Sequence, residues 1–513
     1  MDLRNNTISS ILEKDARDFT LEDIIYFITH AGIDMLNFMY PAGDGRLKTL
    51  NFTIDSEEYL HSVLTNGERV DGSSLFSFIE AGNSDLYVVP RLSTAFIDPF
   101  EERTTICFLC AFFDKDGRRL EYSPEHTLYK AKKIFREKTG MDFEAMAELE
   151  YYVAAPEDQA GGLFPAQDQK GYHESAPFAK FNSFRTQCMH MITVAGGKIK
   201  YGHSEVGNFR LDGKIYEQNE IEFLPTDIEK AADSIMLAKW IIRSHAFRNG
   251  LEVSFAPKIA EGKAGSGLHI HMRLMKDGRN MLLDSDRKIS DTARRAIAGL
   301  MELAPSITAF GNANPVSYLR LVPHQEAPTN ICWGDRNRSV LVRIPLGWTS
   351  GRDMFSEINP ARQDEEGIGI AVLKIKRPEY SDPSVKQTME IRSADSSADI
   401  YLLLSALSIA CRYGLGLDNA LDIAEKTYVD VDIHSEENRA KADALAHLPA
   451  SCAESAARLR KQRHIYEADG IFHPSMTGGI ISRLLSYKDA DLRDRLSKEP
   501  GLEADLVRQY YWC

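Results

Sequence analysis

The chain has 513 residues, of which 43% are hydrophobic and 27% charged. This balance is typical of a folded protein with a large core and argues against a disordered or fibrous chain. The formal net charge of -14 gives no general attraction to phosphate backbones, so we do not expect nucleic acid to be a main partner.

We expect neither a signal peptide nor a membrane span in this sequence. The first residues, MDLRNNTISS, lack the apolar core of a signal peptide, and the longest apolar run, from Ile400, is too short to span a bilayer. The seven cysteines have no disulfide-framework spacing. We therefore expect a cytoplasmic protein with no membrane partner. The one CxxC, Cys107 to Cys110, lies in the apolar run TTICFLCAFF, which favours buried core thiols over a redox or zinc pair.

The first elements along the chain predict a small α+β domain. A helix over Leu21–Ala31 precedes the stretch DMLNFMYPAGDGRLKTLNFTI, which alternates apolar and polar residues around an Asp-Gly turn. This pattern indicates a hairpin in a small sheet. We place the domain boundary near residue 115, because strand-like segments alternate with long helices beyond it.

Three helical regions are expected after that boundary. The first begins at TDIEKAADSIML, with Thr226 and Glu229 as a capping box and Asn249-Gly250 as the stop. Its apolar positions recur at helical spacing: Ile228, Ala231, Ile235, Ala238 and Ile242. An apolar helix is expected over 400–413, and a charged, alanine-rich helical region over 435–463.

Two-residue alternations carry the candidate chemistry, because side chains at i and i+2 of a strand leave the same face and can converge on one ion. Three such pairs occur in otherwise apolar strands: Glu148 with Glu150, His269 with His271, and Glu390 with Arg392. A solvated sheet face explains any one pair, but the three together favour a site. Glu205 and Glu220 add two more carboxylates. Many carboxylates with one histidine suit Mg²⁺ or Mn²⁺ better than a structural zinc.

Arginines supply matching anion sites. Arg320 lies in SYLRLVPHQEAP, and Arg336, Arg338 and Arg343 lie in CWGDRNRSVLVRIP. A scattered arginine usually makes solvated surface contacts, but beside carboxylates and metals these would hold a carboxylate substrate and a transferring phosphoryl group. The sequence has no GxxxxGK[ST] loop, so nucleotide phosphates would be held by metals and arginines.

Taken together, the motifs resemble the glutamine synthetase family, in particular its long bacterial type. The resemblance follows the family's order through VDGSSLFSF, ELEYY, SEVG, GSGLHIH, VPHQEAP, GDRNRSVLVRIP and MEIRSADSS, and it spans most of residues 20 to 412. It implies an N-terminal β-grasp domain over 1–115. A catalytic domain over 116–513 would follow, with a curved antiparallel sheet flanked by helices and a helical C-terminal region.

The resemblance implies two metal sites, each for Mg²⁺ or Mn²⁺, and ATP as co-substrate. The first metal would be held by Glu150, Glu205 and Glu220. The second would be held by Glu148, His269 and Glu390. The residues facing the nucleotide phosphates would be His271, Arg338 and Arg343.

L-glutamate and ammonium are the other implied substrates. Glutamate would be bound by the backbone at Gly265 and by Arg320 and Arg392, and Arg338 would also meet the γ-phosphoryl group in transfer. The implied catalytic residues are Asp71 as the base for ammonium, Arg338, and Glu326 as the flap residue that closes over γ-glutamyl phosphate. Ser74, beside Asp71, is an implied substrate-binding residue. Because the family's counterpart of Asp71 reaches the neighbouring subunit, the resemblance implies a homo-oligomer of stacked hexameric rings.

The sequence departs from the family at several places. The link between Glu205 and Glu220 is long, with an insertion near 207–218, and we expect a hairpin turning at Asp212-Gly213 to return Glu220 to its metal. Glu217 and Ala264 replace a common glycine and asparagine. A second insertion lies near 346–389, where IGIAVLKIKR is expected to form an added strand. Tyr428 lacks the motif around the tyrosine that some members modify, so adenylylation is not expected.

Three functions stay open at this point. The first is ligation of ammonia to glutamate. The second keeps the γ-glutamyl phosphate but joins it to an organic amine or polyamine, since relatives of that kind share nearly all of these motifs. The third is a non-catalytic member that kept the fold, which is disfavoured because all six implied metal ligands and Glu326 are present.

Overall fold

The computed structural model describes residues 6–76, 78, 79, 82, 84–159, 163–322, 327–347, 354–358, 386–499 and 501–513. Two sheets organise these residues, one of six strands and one of ten. The predicted α+β class, a small sheet followed by a larger antiparallel one with helices packed on it, is confirmed.

The smaller sheet is built from the first part of the chain. Its strands are β1 Met35–Pro41, β2 Leu47–Thr53, β3 Glu68–Asp71, β4 Asp85–Pro90, β5 Phe96–Ile97 and β6 Thr105–Phe113. The helices of this part are α1 Thr7–Leu12, α2 Leu21–Ala31, α3 Glu57–Asn66 and α4 Gly72–Leu75. The strand order is β2-β1-β6-β4-β3, with β5 on β6, and the β1–β6 pair is parallel.

Local sequence explains the first elements of this sheet. Thr20 and Asp23 form a capping box at the start of α2, and Gly32 ends the helix with φ of 64°. Strands β1 and β2 form the predicted antiparallel hairpin, with Gly45 at φ of 72° in the turn. Cys107 and Cys110 are free thiols buried on opposite faces of β6, as expected for core residues.

The larger sheet holds the candidate site. Its strands are β7 Asp142–Pro156, β8 Ile199–Leu211, β9 Lys214–Phe223, β10 Thr226–Asp227, β11 Glu252–Ser254, β12 Leu268–Lys276, β13 Arg279–Asn280, β14 Trp333–Asp335, β15 Val342–Ile344 and β16 Met389–Ile391. The order is β14-β15-β16-β12-β7-β9-β8, and within the described residues only the β14–β15 pair is parallel.

Helices cover this sheet and extend beyond it. They are α5 Pro124–Thr139, α6 Asn182–Val194, α7 Ile228–Arg248, α8 Asp291–Gly311, α9 Ser317–Arg320, α10 Met354–Ile358, α11 Ile400–Leu415, α12 Ala420–Thr427, α13 Arg439–Asp443, α14 Cys452–Glu467, α15 Pro474–Ser486, α16 Leu492–Lys498 and α17 Leu502–Tyr510. Helices α8 and α11 touch at Gly299 and Gly414, where a Cβ would strike the facing backbone. The two helices therefore pack closely together, and residues of both belong to the largest hydrophobic core.

A partly buried ion pair joins the two parts of the chain. The guanidinium of Arg91 donates to both oxygens of Asp233 on α7, at 2.9 and 2.7 Å, and the Tyr401 hydroxyl donates to the same carboxylate at 2.7 Å. Because each charge has partners, the pair avoids the cost of leaving a partly desolvated ion unpaired. It fixes the smaller sheet against the helices behind the larger one.

Two helix expectations are corrected. Helix α7 is capped by Asp227, which accepts from the Glu229 N–H, and not by Thr226, because residues 226 and 227 pair with β7 as β10. The region 435–463 is not one helix: α13 ends at Asp443 and α14 begins at Cys452, with Pro449 between them.

The added strand expected at IGIAVLKIKR lies outside the described residues. Among the residues described, no single helix is long and apolar enough to cross a membrane, and only the sharply bent pair Ile400–Leu415 with Ala420–Thr427 reaches that length and hydropathy when combined.

Candidate active site

Strand register arranges polar side chains in two rows across the larger sheet. In the first row Glu150 on β7 is opposite Glu220 on β9, which is opposite His203 on β8. In the second row, two residues along each strand, His269 on β12 is opposite Glu148, which is opposite Glu222. Because residues two apart share a face, both rows point to the same side of the sheet.

Glu148 is the centre of the second row. Its Oε2 lies 2.8 Å from His269 Nδ1, and its Oε1 lies 2.9 Å from His271 Nε2. Glu390, on β16, approaches the same imidazole, with Oε1 3.5 Å from His269 Nδ1. Ligand atoms of Glu148, His269 and Glu390 all lie within 4.8 Å of one another. The structure therefore brings together the three residues that the sequence analysis assigned to one metal.

The first row gathers Glu205 and Glu220 around His203. The predicted hairpin at Asp212-Gly213 is confirmed, with φ of 50° and 73° at its two turn residues, and it returns Glu220 opposite His203. His203 Nε2 is 3.3 Å from Glu220 Oε1, and its Nδ1 is 3.8 Å from Glu205 Oε1. Ligand atoms of these three residues lie within 4.8 Å of one another.

Glu150 stands slightly apart from that group. It faces Glu220 in the strand register, but its Oε2 accepts hydrogen bonds from the Gly267 N–H at 2.8 Å and from Gln218 Nε2 at 2.9 Å. Its Oε1 is 3.9 Å from His269 Nε2. Glu150 therefore lies between the two groups rather than inside either one.

Sequence reasoning missed His203 and Glu222. Both follow the same two-residue rule that identified the other pairs: His203 precedes Glu205 by two positions, and Glu222 follows Glu220 by two. Ligand atoms of Glu222, Glu148 and His271 form a third group within 4.8 Å. Applying the alternation to GHSEVG and NEIEF would have found both residues.

The electrostatics of the two rows are those of a cation site. Burial raises the pKa of the Glu220 carboxyl, and the negative charges of Glu148 and Glu150 raise it further. Burial opposes ionisation of Glu148 as well, but His271 and His269 outweigh it and lower the pKa. Burial would lower the pKa of His271, yet Glu148 raises it overall. Crowded carboxylates with imidazoles are a donor set that fits Mg²⁺ or Mn²⁺.

Two predicted arginines converge on Glu390. Arg343 Nη1 lies 3.1 Å from Glu390 Oε2, and Arg392 Nε lies 3.1 Å from Oε1. Arg392 also donates to the backbone carbonyl of Arg338, whose own side chain is exposed. The three arginines thus lie at one end of the rows, with two of them on the same carboxylate.

The loop that contains Gly265 packs against Arg320. This arginine is buried and donates through Nη1 to the carbonyls of Ser393 and Ala394, at 3.0 and 3.1 Å. A Cβ on Gly267 would lie 2.6 Å from Arg320 Nη2, 3.0 Å from His269 Nε2 and 3.1 Å from Glu150 Oε1. Glycine is required here because any side chain would fill the space between these three groups.

A buried lysine supports the same loop from behind. Lys239 Nζ donates to the Ser396 carbonyl at 2.6 Å. The Ser396 hydroxyl lies 2.9 Å from both the Glu150 and the Gly267 carbonyl oxygens, so it ties the two strands together. Lys239 therefore contacts Ser396, whose hydroxyl holds the backbone carbonyls of Glu150 and Gly267 together.

Asp71 lies on the smaller sheet, where it caps α4. The Ser74 hydroxyl donates to its Oδ2 at 2.6 Å, and the Ser73 hydroxyl donates to its Oδ1 at 2.8 Å. These hydroxyls, with that of Ser84, hold the pKa of the exposed Asp71 carboxyl well below its usual range. These three serines belong to the same first part of the chain as Asp71. Glu326 lies outside the described residues.

Comparison with known proteins identifies the relatives of this chain. The sequence profile described as "Glutamine synthetase, beta-Grasp domain" matches residues 32–115, and that described as "Glutamine synthetase, catalytic domain" matches residues 121–357 and 371–495. A glutamine synthetase of Mycobacterium bovis is 31% identical over 475 residues, covering 85% of this chain and 88% of that protein. One of Clostridium saccharobutylicum is 28% identical over 457 residues, covering 88% and 92%.

A solved structure gives the same overall likeness. The structure described as "GmaS/ADP complex-Conformation 1" matches with a TM-score of 0.69 at 17% identity, covering 93% of this chain and 98% of that one. At this identity the likeness concerns the fold alone.

Proposed function

This chain belongs to the glutamine synthetase family, and we propose that it joins ammonia to the γ-carboxylate of L-glutamate. Members of this family are ligases that bind ATP and divalent metal ions. In the proposed reaction the γ-phosphoryl group of ATP passes to the glutamate γ-carboxylate. Ammonia then attacks the γ-glutamyl phosphate and phosphate leaves, so the products are glutamine, ADP and phosphate.

The observation that carries this proposal is the group formed by Glu148, His269 and Glu390. These residues come from three neighbouring strands, and their ligand atoms lie within 4.8 Å of one another. The proposed ligands of the other metal are Glu150, Glu205 and Glu220, to which His203 is added. Bound Mg²⁺ or Mn²⁺ would neutralise the charge that develops on the phosphoryl group during transfer.

The arginines at Glu390 suit the phosphoryl end of the reaction. Two guanidinium groups on one carboxylate leave a net positive charge, which favours a phosphate group beside them. The Nε of Arg343 is buried and has no hydrogen-bond partner among the described residues, so it has a donor to offer. We assign Arg343, Arg338 and His271 to the nucleotide phosphates, with Arg338 also meeting the group in transfer.

We assign glutamate to the end of the rows near Gly267. Arg320 approaches this glycine, and Gly265, two residues earlier, lets the loop backbone pack closely against Pro257 and Arg320. Arg320 and the Gly265 backbone would hold one carboxylate of glutamate at this end, and Arg392, beside Glu390, would hold the other. Fixed donors of this kind orient the γ-carboxylate for attack on ATP.

The second step needs a group for ammonium, and Asp71 with Ser74 is the proposed pair. The ionised carboxylate would attract ammonium and accept one proton from it, which leaves ammonia with the lone pair that attacks the γ-glutamyl phosphate. From the family resemblance we propose that Asp71 serves the site of a neighbouring subunit. The proposed assembly is a homo-oligomer of stacked hexameric rings. Glu326 is proposed to close over the γ-glutamyl phosphate. The proposed boundary between the two domains lies near residue 115.

Isotope transfer tests the proposed intermediate. Glutamate labelled with ¹⁸O in its γ-carboxylate should pass one labelled oxygen into the phosphate released with ammonium, ATP and Mg²⁺. The matched control is glutamate labelled only in its α-carboxylate, which should give unlabelled phosphate. Unlabelled phosphate from the γ-labelled substrate would contradict the proposed γ-glutamyl phosphate.

A further inference from the structure

We propose that helix α6 fixes the position of Glu205, a proposed ligand of the first metal, and that Arg185 and Glu217 are the positioning residues. The inference deepens the proposed function and rests on it for the assignment of Glu205 to a metal. It gives a role to Glu217, which the sequence analysis noted only as a departure from the family. Neither positioning residue is among the groups proposed to touch substrate or metal.

Glu205 lies in a bulge of strand β8. On one side of the bulge, Ser204 is opposite Asn219 on β9. On the other side, Asn208 is opposite Glu217, so the two pairs are four positions apart on β8 but only two apart on β9. A bulge interrupts the ladder, bends the strand and changes the direction in which its side chains point. The ladder alone therefore does not set the direction of the Glu205 side chain.

Arg185, on α6, holds the pair on the first side of the bulge. Its side chain is buried, and Nη1 donates to Ser204 Oγ at 3.1 Å and to Asn219 Oδ1 at 2.5 Å. Nη2 donates to Asn182 Oδ1 at 2.8 Å, at the start of the same helix. The guanidinium is thus fixed on its own helix and ties β8 to β9.

Arg185 contacts the face of the sheet opposite the carboxylates. Ser204 directly precedes Glu205, and Asn219 directly precedes Glu220. Neighbouring side chains of a strand leave opposite faces, so the two residues that Arg185 holds lie behind two proposed metal ligands. Hydrogen bonds from a charged donor are stronger than those between neutral groups, which suits a fixed support.

Glu217 holds the pair on the other side of the bulge. Its side chain is buried, Oε2 accepts from the Lys180 N–H at 2.6 Å, and Oε1 accepts from the Phe181 N–H at 3.3 Å. Helix α6 begins at Asn182, and Phe181 makes no side-chain cap. A carboxylate beside the N-terminus of a helix satisfies free N–H groups and interacts favourably with the helix dipole. Glu217 therefore attaches β9 to the start of the helix that carries Arg185.

One helix thus contacts both sides of the bulge. Arg185 contacts the side nearer His203, and the N-terminus of α6 contacts the side of Glu217. An α-helix is a rigid element, so it sets the distance between these two points. Glu205 lies between them, with its Oε1 3.8 Å from His203 Nδ1. We infer that this support gives the first metal group its geometry before an ion binds.

Manganese titration of the full chain without ATP tests this inference without turnover. Bound and free Mn²⁺ are distinguished by the electron paramagnetic resonance signal of the free ion. The wild type should bind the two proposed ions. In Arg185→Met and in Glu217→Gln one ion should bind about tenfold more weakly or worse, because groups that orient metal ligands contribute that much to affinity. The other ion, at Glu148, should keep its affinity.

Amide hydrogen exchange of the metal-free chain gives a second readout. Exchange reports local opening of the backbone, so peptides that span residues 204–208 should exchange faster in both variants than in the wild type. Peptides that span residues 268–272 on β12 should exchange at the wild-type rate, because α6 does not hold that strand.

Glu125→Gln and Arg295→Met are the matched controls. Glu125 is as buried as Glu217, lies in the first turn of α5 and accepts the Phe112 N–H at 3.1 Å, but it lies outside both rows. Arg295 is a helix arginine that donates to the Leu417 carbonyl at 3.0 Å. Both controls should bind Mn²⁺ as the wild type does.

Two results would overturn the inference. They are wild-type affinity for both ions in Glu217→Gln, or equal weakening of both ions, which would indicate a general loss of structure. Glu217→Gln decides the matter if Arg185→Met does not fold, because glutamine keeps the size of the side chain. The proposed function fails separately, if the wild type binds both ions but forms no glutamine from glutamate, ammonium and ATP.

Discussion

His269 Nδ1 lies 2.8 Å from Glu148 Oε2, and the two residues are direct partners in the register of β12 and β7. Backbone hydrogen bonds of the sheet therefore set this contact, not a flexible loop. Both strands also have a buried face that packs in the core. A substitution on the polar face can therefore abolish activity while the core packing that holds the strands stays intact. This separation makes the site testable by single substitutions.

Replacing Glu148 with glutamine should abolish turnover while leaving the fold intact. The change removes the carboxylate that contacts both His269 and His271, and the loss in kcat should exceed about 100-fold. The measurement is phosphate release alongside the circular dichroism spectrum. Glu144→Gln is the matched control, since Glu144 lies four residues earlier on the same strand and pairs with Arg273. Retained activity in Glu148→Gln would show that the ligand assignment is wrong.

Gly267→Ala should impair catalysis by filling the space between the charged groups. The new Cβ would lie 2.6 Å from Arg320 Nη2, so either the arginine or the loop must move. We expect kcat/KM for glutamate to fall by about 100-fold or more, since a misplacement of 1 Å can cost that much. Gly478→Ala is the control, because no atom lies within 4 Å of its added Cβ. Wild-type kinetics in Gly267→Ala would disprove the proposed role of this space.

Asp71→Asn should separate the two steps of the reaction. Transfer of the phosphoryl group does not need this carboxylate, whereas capture of ammonium does, so the KM for ammonium should rise while slow phosphate release with glutamate persists. Because hydroxyls hold the pKa of Asp71 well below its usual range, the wild-type carboxylate should stay ionised throughout mildly acidic pH. Asp85→Asn, at the facing position on β4, is the control. Equal loss of both partial reactions would count against the assignment.

Lys239→Met should change how stability depends on pH. Burial, followed by the charge of Arg243, lowers the pKa of Lys239 to about 7, whereas the unfolded chain has a lysine pKa of about 10.4. Between these values the unfolded state binds the additional proton, so this group makes the native state more stable as pH rises. The effect is at most about 5 kcal/mol, at 1.36 kcal/mol per pKa unit.

Denaturant unfolding from pH 7 to 10 measures this dependence. The free energy of unfolding should rise more steeply with pH in the wild type than in Lys239→Met, because methionine has no proton to bind. Taking the difference between the two proteins cancels the other groups that titrate in this range. Parallel curves would mean that Lys239 is charged in the folded state at every pH tested.

The sequence was most informative where a local pattern has a single structural outcome. Alternation in ELEYY and GLHIH predicted which side chains share a face, and the Asp212-Gly213 signal predicted the hairpin that returns Glu220. Alternation could not reveal which strands are neighbours, because pairing of β12 with β7 and β16 joins segments more than 100 residues apart.

Tertiary context also overrode local signals. Thr226 and Glu229 match a capping box, yet residues 226 and 227 form a strand with β7, so Asp227 caps the helix. Likewise, nothing near Arg392 in the sequence indicates that it would share Glu390 with Arg343, since that contact depends on the β15–β16 pairing.

The most direct test of the central claim is glutamine formation by the purified chain with glutamate, ATP and Mg²⁺. Ammonium should be compared with a monoamine and a polyamine at equal concentration, with product and phosphate measured together. We predict that ammonium gives glutamine and phosphate in equal amounts and faster than either amine. Faster turnover with an amine, or no glutamine at all, would contradict the account.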